Sequence, residues 1–476
     1  MKIDGRAPCI VGVSRRTWRQ APAPEPLDMW EHVARSAAAD AGCPDAVRQA
    51  DSLQVVFCQS WSYDDPVGRL ANRLGATPRH RLYSGLGGSV PLRLAGQLAT
   101  AMSRGECELG LVLGGEALAT RRHLVDPPWS HAPAQAPPWP IEIDRNEAAH
   151  GIYQALLTFA LLDTARRFEL GETLEEHRDS LGRLMAPLTA VAAADPEHAW
   201  FPLARTPSAL TTPTAANRMV ATPYTKLMTA IMDVDMAAGL LLATHAKADD
   251  MGVPAERRVY LRGLGLADEP ATIAARPRLG ASPALKAAAL QALAGRSLDD
   301  VSDLDVYSCF ASSLAFACDA LGIAADRVLT VTGGLPYHGG PGSNYCTHAL
   351  AAMTERLRAD PGAYGLVTGV GMHMTHHAAS LWSTTPGAPA GAPAVRADEA
   401  KGVVPVVRGA EGPATVATFS TMYNREGPEW SALICDLPDG SRSYARLEEP
   451  VADGNDVAGQ PVTLVAGARG VSTAHR

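Results

Sequence analysis

Two copies of one motif, far apart in the 476-residue chain, constrain its fold more than any other feature. The first copy, LGGSVPLRLAGQLATAMSRGECELGLVLGG, occupies 86–115, and the second, HGGPGSNYCTHALAAMTERLRADPGAYGLVTGVG, occupies 338–371. Each copy reads as a glycine turn, a helix of small residues and a short apolar strand that ends in glycines. Such a duplication predicts two similar halves related by a pseudo-twofold axis.

The glycine turns place two helix N-termini together at the centre of the predicted body. Free N–H groups and the positive end of the helix dipole bind anions or polarise an acyl oxygen there. Tight packing is the alternative reason for the glycines, and their presence in both copies favours a shared site. The expected substrate contacts are Gly88, Gly339, Gly340, Asn344 and Gly371.

Residues 1–386 have the sequence pattern of an α/β protein with an insertion. Strand-like and helix-like stretches alternate over the first 120 residues. The proline-rich PPWSHAPAQAPPWP follows, and then helical spacing from 147 to 194. The predicted division is a first half at 1–120 and 222–270, a helical loop-domain insertion at 121–221, and a second half at 271–386.

The C-terminal part is predicted to be a separate small β-barrel, at 403–476, behind a Pro/Gly/Ala linker at 387–402. Four or five short β-like runs separated by turns favour an OB-like barrel. Few basic or aromatic residues interleave on these runs, and the formal net charge is −8. We therefore expect an interaction or lid domain and no nucleic-acid partner.

Cysteine usage and hydropathy bear on the compartment. The eight cysteines are scattered without a CxxC pair, so neither a zinc cage nor a disulfide framework is predicted. No stretch approaches the ~18 apolar residues of a membrane span. A soluble, cytoplasmic protein without a membrane partner is the simplest expectation.

Five segments across residues 1–385 resemble the thiolase superfamily, in particular its acetyl-CoA acetyltransferase-like members and the sterol-carrier-protein thiolases. Besides the repeat copies, they are NRMVATPYTKLMTAIMDVDMAAGLLLATHAKA, DVYSCFASSLAFACDALGI and GLVTGVGMHMTHHA. The resemblance implies a duplicated five-layer αβαβα fold that binds an acyl-CoA or other acyl thioester and makes or breaks a C–C bond beside it. Coenzyme A thioester would be the substrate, with no cofactor and no metal, and the chain is expected to be a monomer or a homodimer.

The resemblance breaks down at the family's catalytic positions. The nucleophilic cysteine that begins the first central helix corresponds to Gly88 or Ser89, depending on the end from which one counts. Ser89 is a weak candidate nucleophile and is otherwise expected to cap the helix. A glycine stands at the position of the loop histidine, and His338, two residues earlier, is the candidate replacement. The family's second cysteine is also missing, near 367–368.

Two tyrosines are the sharpest catalytic candidates. Tyr307 in DVYSCF and Tyr337 in GGLPYHGG match positions where relatives that cleave steroid side-chain acyl-CoAs by a retro-aldol reaction have tyrosine. A tyrosine with a lowered pKa, or one paired with His338, can act as a base or as a donor to an enolate. The alternative is that both are buried residues of the cleft wall.

The remaining candidates are two thiols and a histidine. Cys309 follows a predicted strand, and Cys346 begins the second central helix, whose positive end is expected to lower the thiol pKa. Both cysteines can equally be small apolar core residues. No carboxylate or cysteine stands at ligand spacing beside the histidines of HMTHH, so no metal site is expected. Strand alternation predicts that His373 points to the face opposite Met372 and Met374.

These observations lead to one hypothesis with two alternatives. The leading hypothesis is an acetyl-CoA acetyltransferase-like, acyl-CoA-binding protein that makes or breaks a C–C bond without the usual cysteine nucleophile. The alternatives are a retro-aldol lyase that uses Tyr307 and Tyr337 on a 3-hydroxyacyl-CoA, and a non-catalytic acyl-CoA-binding scaffold.

Overall fold

The structure is a computed structural model that describes residues 3–131, 133–134, 144–324, 326–387, 390–391 and 402–476. Most of the predicted linker and the centre of the proline-rich stretch lie outside these residues. Among the described helices, none combines the length and the apolar character needed to cross a membrane.

The first half of the chain supplies five strands of a large mixed sheet and the helices that cover it. Its elements are β1 (Pro8–Thr17), α1 (Pro26–Asp40), β2 (Ser52–Val55), α2 (Pro66–Leu74), β3 (His80–Tyr83), α3 (Val90–Arg104), β4 (Leu109–Ala117), β7 (Asp235–Thr244) and α9 (His245–Asp250). Counted from the centre of the sheet, the strand order is β1, β7, β4, β2, β3.

The second half repeats this arrangement. Its elements are β8 (Val259–Asp268), α10 (Pro283–Leu293), β9 (Asp303–Asp305), α11 (Ala311–Leu321), α12 (Tyr345–Ala359), β10 (Tyr364–Gly371), β11 (His376–Ser383) and β12 (Ala390–Gly391). Strand β8 thus lies before residue 271, where the sequence pattern placed the start of this half. The order β8, β11, β10, β9 copies that of β1, β7, β4, β2, with the same antiparallel and parallel pairings. The two halves meet where β1 pairs with β8. The predicted duplication is confirmed.

Helices α3 and α12 pack against each other between the two halves, while α1 and α10 cover the outer faces. The layers are therefore α, β, α, β, α, as expected. Glycines allow the outer helices to come close: a Cβ on Gly12 would lie 1.9 Å from the Ala37 carbonyl oxygen of α1. A Cβ on Gly265 would lie 1.8 Å from the Ala288 carbonyl oxygen of α10. In both halves, a glycine of the sheet therefore allows the outer helix to approach closely.

A helical insertion lies between β4 and β7 and continues beyond 221, where the sequence pattern placed its end. It contains α4 (Leu118–His123), α5 (Arg145–Ala149), α6 (Ala155–Leu170), α7 (Leu174–Ala194), α8 (Pro207–Thr211), β5 (Met219–Ala221) and β6 (Tyr224–Thr225). Helix α7 begins with a capping box in which Thr173 and Glu176 each bind the other's backbone N–H. The insertion places its last segment, which precedes β7, beside the central loops.

The C-terminal residues form a small closed barrel of five strands. They are β13 (Gly412–Tyr423), β14 (Pro428–Asp436), β15 (Arg442–Leu447), β16 (Pro461–Ala466) and β17 (Ser472–His475), in the closed order β13, β14, β15, β17, β16. The barrel is fixed to the insertion, because Met422 of β13 pairs with Ala221 of β5 and the Thr418 hydroxyl donates to the Leu161 carbonyl of α6.

Candidate active site

The N-termini of the two central helices are bonded to each other's loops. The Gly87 N–H donates to the Ser343 hydroxyl (2.9 Å), and the Cys346 thiol donates to the Gly88 carbonyl (3.1 Å). The Asn344 side-chain amide donates to the Gly114 carbonyl at 2.7 Å. The repeat therefore brings the glycine turn before α3 and the one before α12 to one place, as the sequence predicts.

Tyr307 covers the first of these turns. A Cβ on Gly88 would lie 1.9 Å from the Tyr307 hydroxyl oxygen and 2.5 Å from the Val370 carbonyl oxygen. The Tyr307 N–H donates to the Thr368 hydroxyl (3.0 Å), and its ring meets Tyr345 edge-on at 5.7 Å between centroids. Because the residue is only 5% exposed, burial raises the pKa of its phenol well above the ordinary value.

Ser89 stands at the N-cap of α3 but does not cap it. Its side chain accepts no hydrogen bond from the first turn, so the expected capping role is wrong. The Ser89 hydroxyl instead lies against the strand end at Gly371, where a Cβ would approach its oxygen to 2.9 Å. Ser89 and Gly371 are therefore neighbours, one from each half of the fold.

Neither candidate thiol has the electrostatic setting of a reactive cysteine. Burial raises the pKa of Cys309 to about 12, and its Sγ lies 3.2 Å from the Ser313 hydroxyl. Burial also raises the pKa of Cys346 well above the ordinary value, so the lowering expected from the helix N-terminus is wrong. The loss of water around a fully buried thiolate outweighs the helix dipole.

The structure separates the side chain of Tyr337 from that of His338. The imidazole of His338 lies 3.3 Å from that of His348 (Nε2 to Nδ1), behind Tyr345, and burial lowers its pKa to about 3. The Tyr337 hydroxyl is buried without a partner among the described residues, and burial raises its pKa. The expected lowering of the pKa is therefore wrong for both Tyr307 and Tyr337, and no hydrogen bond pairs the side chains of Tyr337 and His338 among the described residues.

The loop around His338 is held by backbone contacts. Gly339 adopts a φ of 117°, which only glycine tolerates easily, and the Gly340 N–H donates to the Ile231 carbonyl at 3.0 Å. No hydrogen bond or ring contact joins Tyr307 to Tyr337 in the described part of the chain. Ile231 belongs to the last segment of the insertion, so the insertion fixes this loop.

Sequence reasoning missed a buried polar network beneath Tyr307. The Tyr345 hydroxyl donates to the Asp305 carboxylate (2.9 Å), which also accepts from the Thr330 and Thr332 hydroxyls. Burial raises the pKa of Asp305. Asp305, the last residue of β9 and the first of DVYSCF, was the available signal, since a carboxylate in a buried strand needs partners.

His373 of HMTHH lies on a turn rather than on an alternating strand, while His376 and His377 begin the next strand. Strand β10 ends at Gly371, β11 begins at His376, and Met372 and Met374 have positive φ values of 54° and 58°. The predicted alternation is therefore wrong. The His373 ring bonds the Thr158 hydroxyl of the insertion at 2.8 Å, and burial lowers its pKa to about 4.

A cavity of about 850 Å³ opens beside the glycine loop of the second half. Tyr337, Leu227 and Ile231 form part of its wall. Its cationic lining residues are Arg122, Arg205, Arg218, Lys226 and Arg425. Arg122 pairs with Asp233, the one acidic residue of the lining, and Arg218 donates to backbone carbonyls. The other three make no ion pair among the described residues, so the cavity carries unneutralised positive charge.

Comparison with known proteins defines the family. A monomeric SCP2-thiolase-like protein type 1 from Mycobacterium smegmatis is 30% identical, with a TM-score of 0.88 over 100% of both chains. The chain belongs to the thiolase superfamily. The Ltp2–ChsH2(DUF35) aldolase, at 17% identity and a TM-score of 0.61 over 79% of this chain and 97% of that one, shares the fold.

The match to curated sequences is shorter. Peroxisomal 3-ketoacyl-CoA thiolase B of Mus musculus is 28% identical over 142 residues, which are 29% of this chain and 32% of the relative. The chain thus matches about a third of the length of these relatives. No protein-family model matches it.

Proposed function

We propose that the protein binds an acyl-CoA, with the phosphates in the cation-lined cavity and the acyl thioester directed towards the central helix N-termini. The unneutralised Arg205, Lys226 and Arg425 are the observation that carries this proposal. Coenzyme A bears a diphosphate and a 3′-phosphate, and guanidinium and ammonium groups are their usual protein ligands. The name of the mouse relative, a 3-ketoacyl-CoA thiolase, supports the same ligand class.

One segment connects the cavity with the centre of the fold. Leu227 and Ile231 line the cavity, while between them the Ala230 N–H donates to the Cys309 carbonyl at 2.7 Å. Cys309 is two residues from Tyr307. A thioester that passes this segment would therefore meet Tyr307 and Gly88, where helix N–H groups and a phenol stabilise negative charge on oxygen.

The chemistry that fits best is the making or breaking of a C–C bond beside the thioester. In a retro-aldol cleavage, a base removes the β-hydroxyl proton, the Cα–Cβ bond breaks to give a carbonyl compound, and the enolate takes a proton at Cα. Tyr307 and Tyr337 stay protonated at neutral pH, because burial raises both pKa values. Both therefore suit donation to the developing oxyanion and not the base role.

A non-catalytic acyl-CoA-binding scaffold is the second candidate. The specific observation in its favour is that Tyr307 fills the space over Gly88, so position 88 has no room for a nucleophilic side chain, and both thiols have raised pKa values. We further propose that the protein is a monomer, as the Mycobacterium smegmatis relative is described. The barrel's closed strand order and its parallel β15–β17 pair support an OB-like interpretation.

Binding and turnover measured on the same samples test these proposals. We expect the wild type to bind CoA esters by calorimetry and to release a shorter acyl-CoA and a carbonyl compound from a 3-hydroxyacyl-CoA. Tyr307→Phe should bind equally but lose turnover at least tenfold, whereas Tyr153→Phe, at a half-exposed position, should match the wild type. Unchanged turnover in Tyr307→Phe excludes its catalytic role, binding without turnover supports the scaffold, and absent binding refutes the proposal.

A further inference from the structure

The wall of the cation-lined cavity includes one residue of the C-terminal barrel. Arg425 lies on the turn between β13 and β14, about 200 residues along the chain from Arg205, Arg218 and Lys226 of the insertion. It is exposed and makes no hydrogen bond or ion pair among the described residues. An arginine side chain that is exposed and whose charge is not neutralised by an ion pair is free to bind a ligand.

The turn that carries Arg425 has a defined shape. The Asn424 side-chain oxygen accepts from the N–H groups of Glu426 (2.8 Å) and Gly427 (3.1 Å), and the Asn424 N–H donates to the Gly427 carbonyl at 3.0 Å. Glu426, the adjacent acidic residue, is not part of the cavity lining. The backbone of the turn is thus fixed by its own side chain, which lowers the entropic cost of holding Arg425 for binding.

The insertion holds this hairpin in position. The Thr222 N–H donates to the Thr421 carbonyl (2.9 Å), Met422 pairs with Ala221, and the Arg218 guanidinium donates to the Tyr423 carbonyl at 3.4 Å. Arg218 itself lines the cavity. The same contacts that attach the barrel therefore set the position of Arg425 relative to the other cations.

We propose that Arg425 binds a phosphate group of the ligand, so that the barrel completes the coenzyme A site in the same chain. This inference rests on the proposed acyl-CoA function and adds the ligand part that the barrel recognises, its phosphorylated end. A ligand without phosphates gains nothing from Arg425, because a neutral pantetheine arm offers no anion to the guanidinium.

Calorimetric titration with two probes, CoA and pantetheine, tests the proposal. We expect Arg425→Ala to weaken CoA binding about five- to twentyfold, and Arg425→Lys to recover part of this loss. Pantetheine binding should be equal in all variants. Arg476→Ala removes the same charge from the end of the barrel and should bind CoA as the wild type does. Thermal midpoints confirm that each variant is folded.

The possible failures are distinguishable. If the wild type binds CoA and Arg425→Ala binds it within twofold as tightly, the role of Arg425 is refuted and the proposed function stands. Equal weakening of CoA and pantetheine binding also refutes it, because such a loss does not depend on phosphate. If the wild type binds no CoA, the proposed function and the inference fall together.

Discussion

The hydroxyl of Tyr307 occupies the space into which a side chain at position 88 would project, since a Cβ built on Gly88 lies 1.9 Å from its oxygen. The two residues come from different halves of the duplicated fold. A cysteine at position 88 is therefore excluded by the tyrosine as well as missing from the sequence. The glycine at position 88 and the tyrosine at position 307 therefore depend on each other sterically.

Gly88→Ala tests this dependence. We expect it to lower the free energy of unfolding by about 1–3 kcal/mol, the cost of overpacking a buried contact that involves the Val370 backbone as well as Tyr307. Gly85→Ala is the matched control, because a Cβ there meets nothing within 4 Å. Urea denaturation measures both variants, and equal stability of the two would refute the steric relation.

A second prediction concerns the attachment of the barrel. The Tyr444 hydroxyl donates to the buried Glu147 carboxylate and accepts from the Ala274 N–H (3.0 Å), which ties β15 to the insertion and to the second half. Tyr444→Phe leaves a buried N–H and a buried carboxyl short of a partner, so we expect a loss of about 1–3 kcal/mol. Tyr153→Phe, half exposed, should stay within about 0.5 kcal/mol of the wild type. A thermal midpoint of Tyr444→Phe equal to that of this control would show that the contact contributes nothing.

A third prediction follows from the buried histidines. Burial lowers the pKa of His377 to about 3, while in the unfolded chain a histidine titrates near about 6.5. As the pH falls from 7 to 4, the unfolded chain binds protons that the folded chain does not, so stability falls, by up to about 1.4 kcal/mol per pH unit for each such histidine.

His377→Gln should reduce the slope of the unfolding free energy against pH by the contribution of one histidine, up to about 1.4 kcal/mol per pH unit. Urea titrations at several pH values between 7 and 4 measure the slope, with His80→Gln, at an exposed position, as the control. An equal slope in His377→Gln and the wild type would show that His377 does not contribute to the loss of stability in acid.

The duplicated architecture was predictable because it follows from local patterns. Each repeat copy carries its own turn, helix and strand, and the structure pairs β10 with β11 as it pairs β4 with β7. The conformation of the turn after β10 was not predictable from the sequence. The positive φ values of Met372 and Met374 break the strand period that the sequence suggests.

Electrostatics at the site could be predicted only in part. The helix dipole at Cys346 is a local feature, but the burial that raises its pKa comes from packing between the halves. Tyr345 and Asp305 lie 40 residues apart, so their hydrogen bond depends on the tertiary fold. Residues of the insertion and Arg425 of the barrel line the same cavity. The sequence pattern had assigned these segments to separate domains, so the cavity could not be predicted from it.

The pairing of Met422 with Ala221 also has a consequence for biosynthesis. The two residues are about 200 positions apart, which at roughly 5–20 residues per second means ~10–40 s between their emergence from the ribosome. During that interval, the side of α6 that will receive β13 has no covering strand. The insertion therefore cannot complete its packing until β13 has been synthesised. We expect the dependence of folding on chaperones to be greatest in this interval.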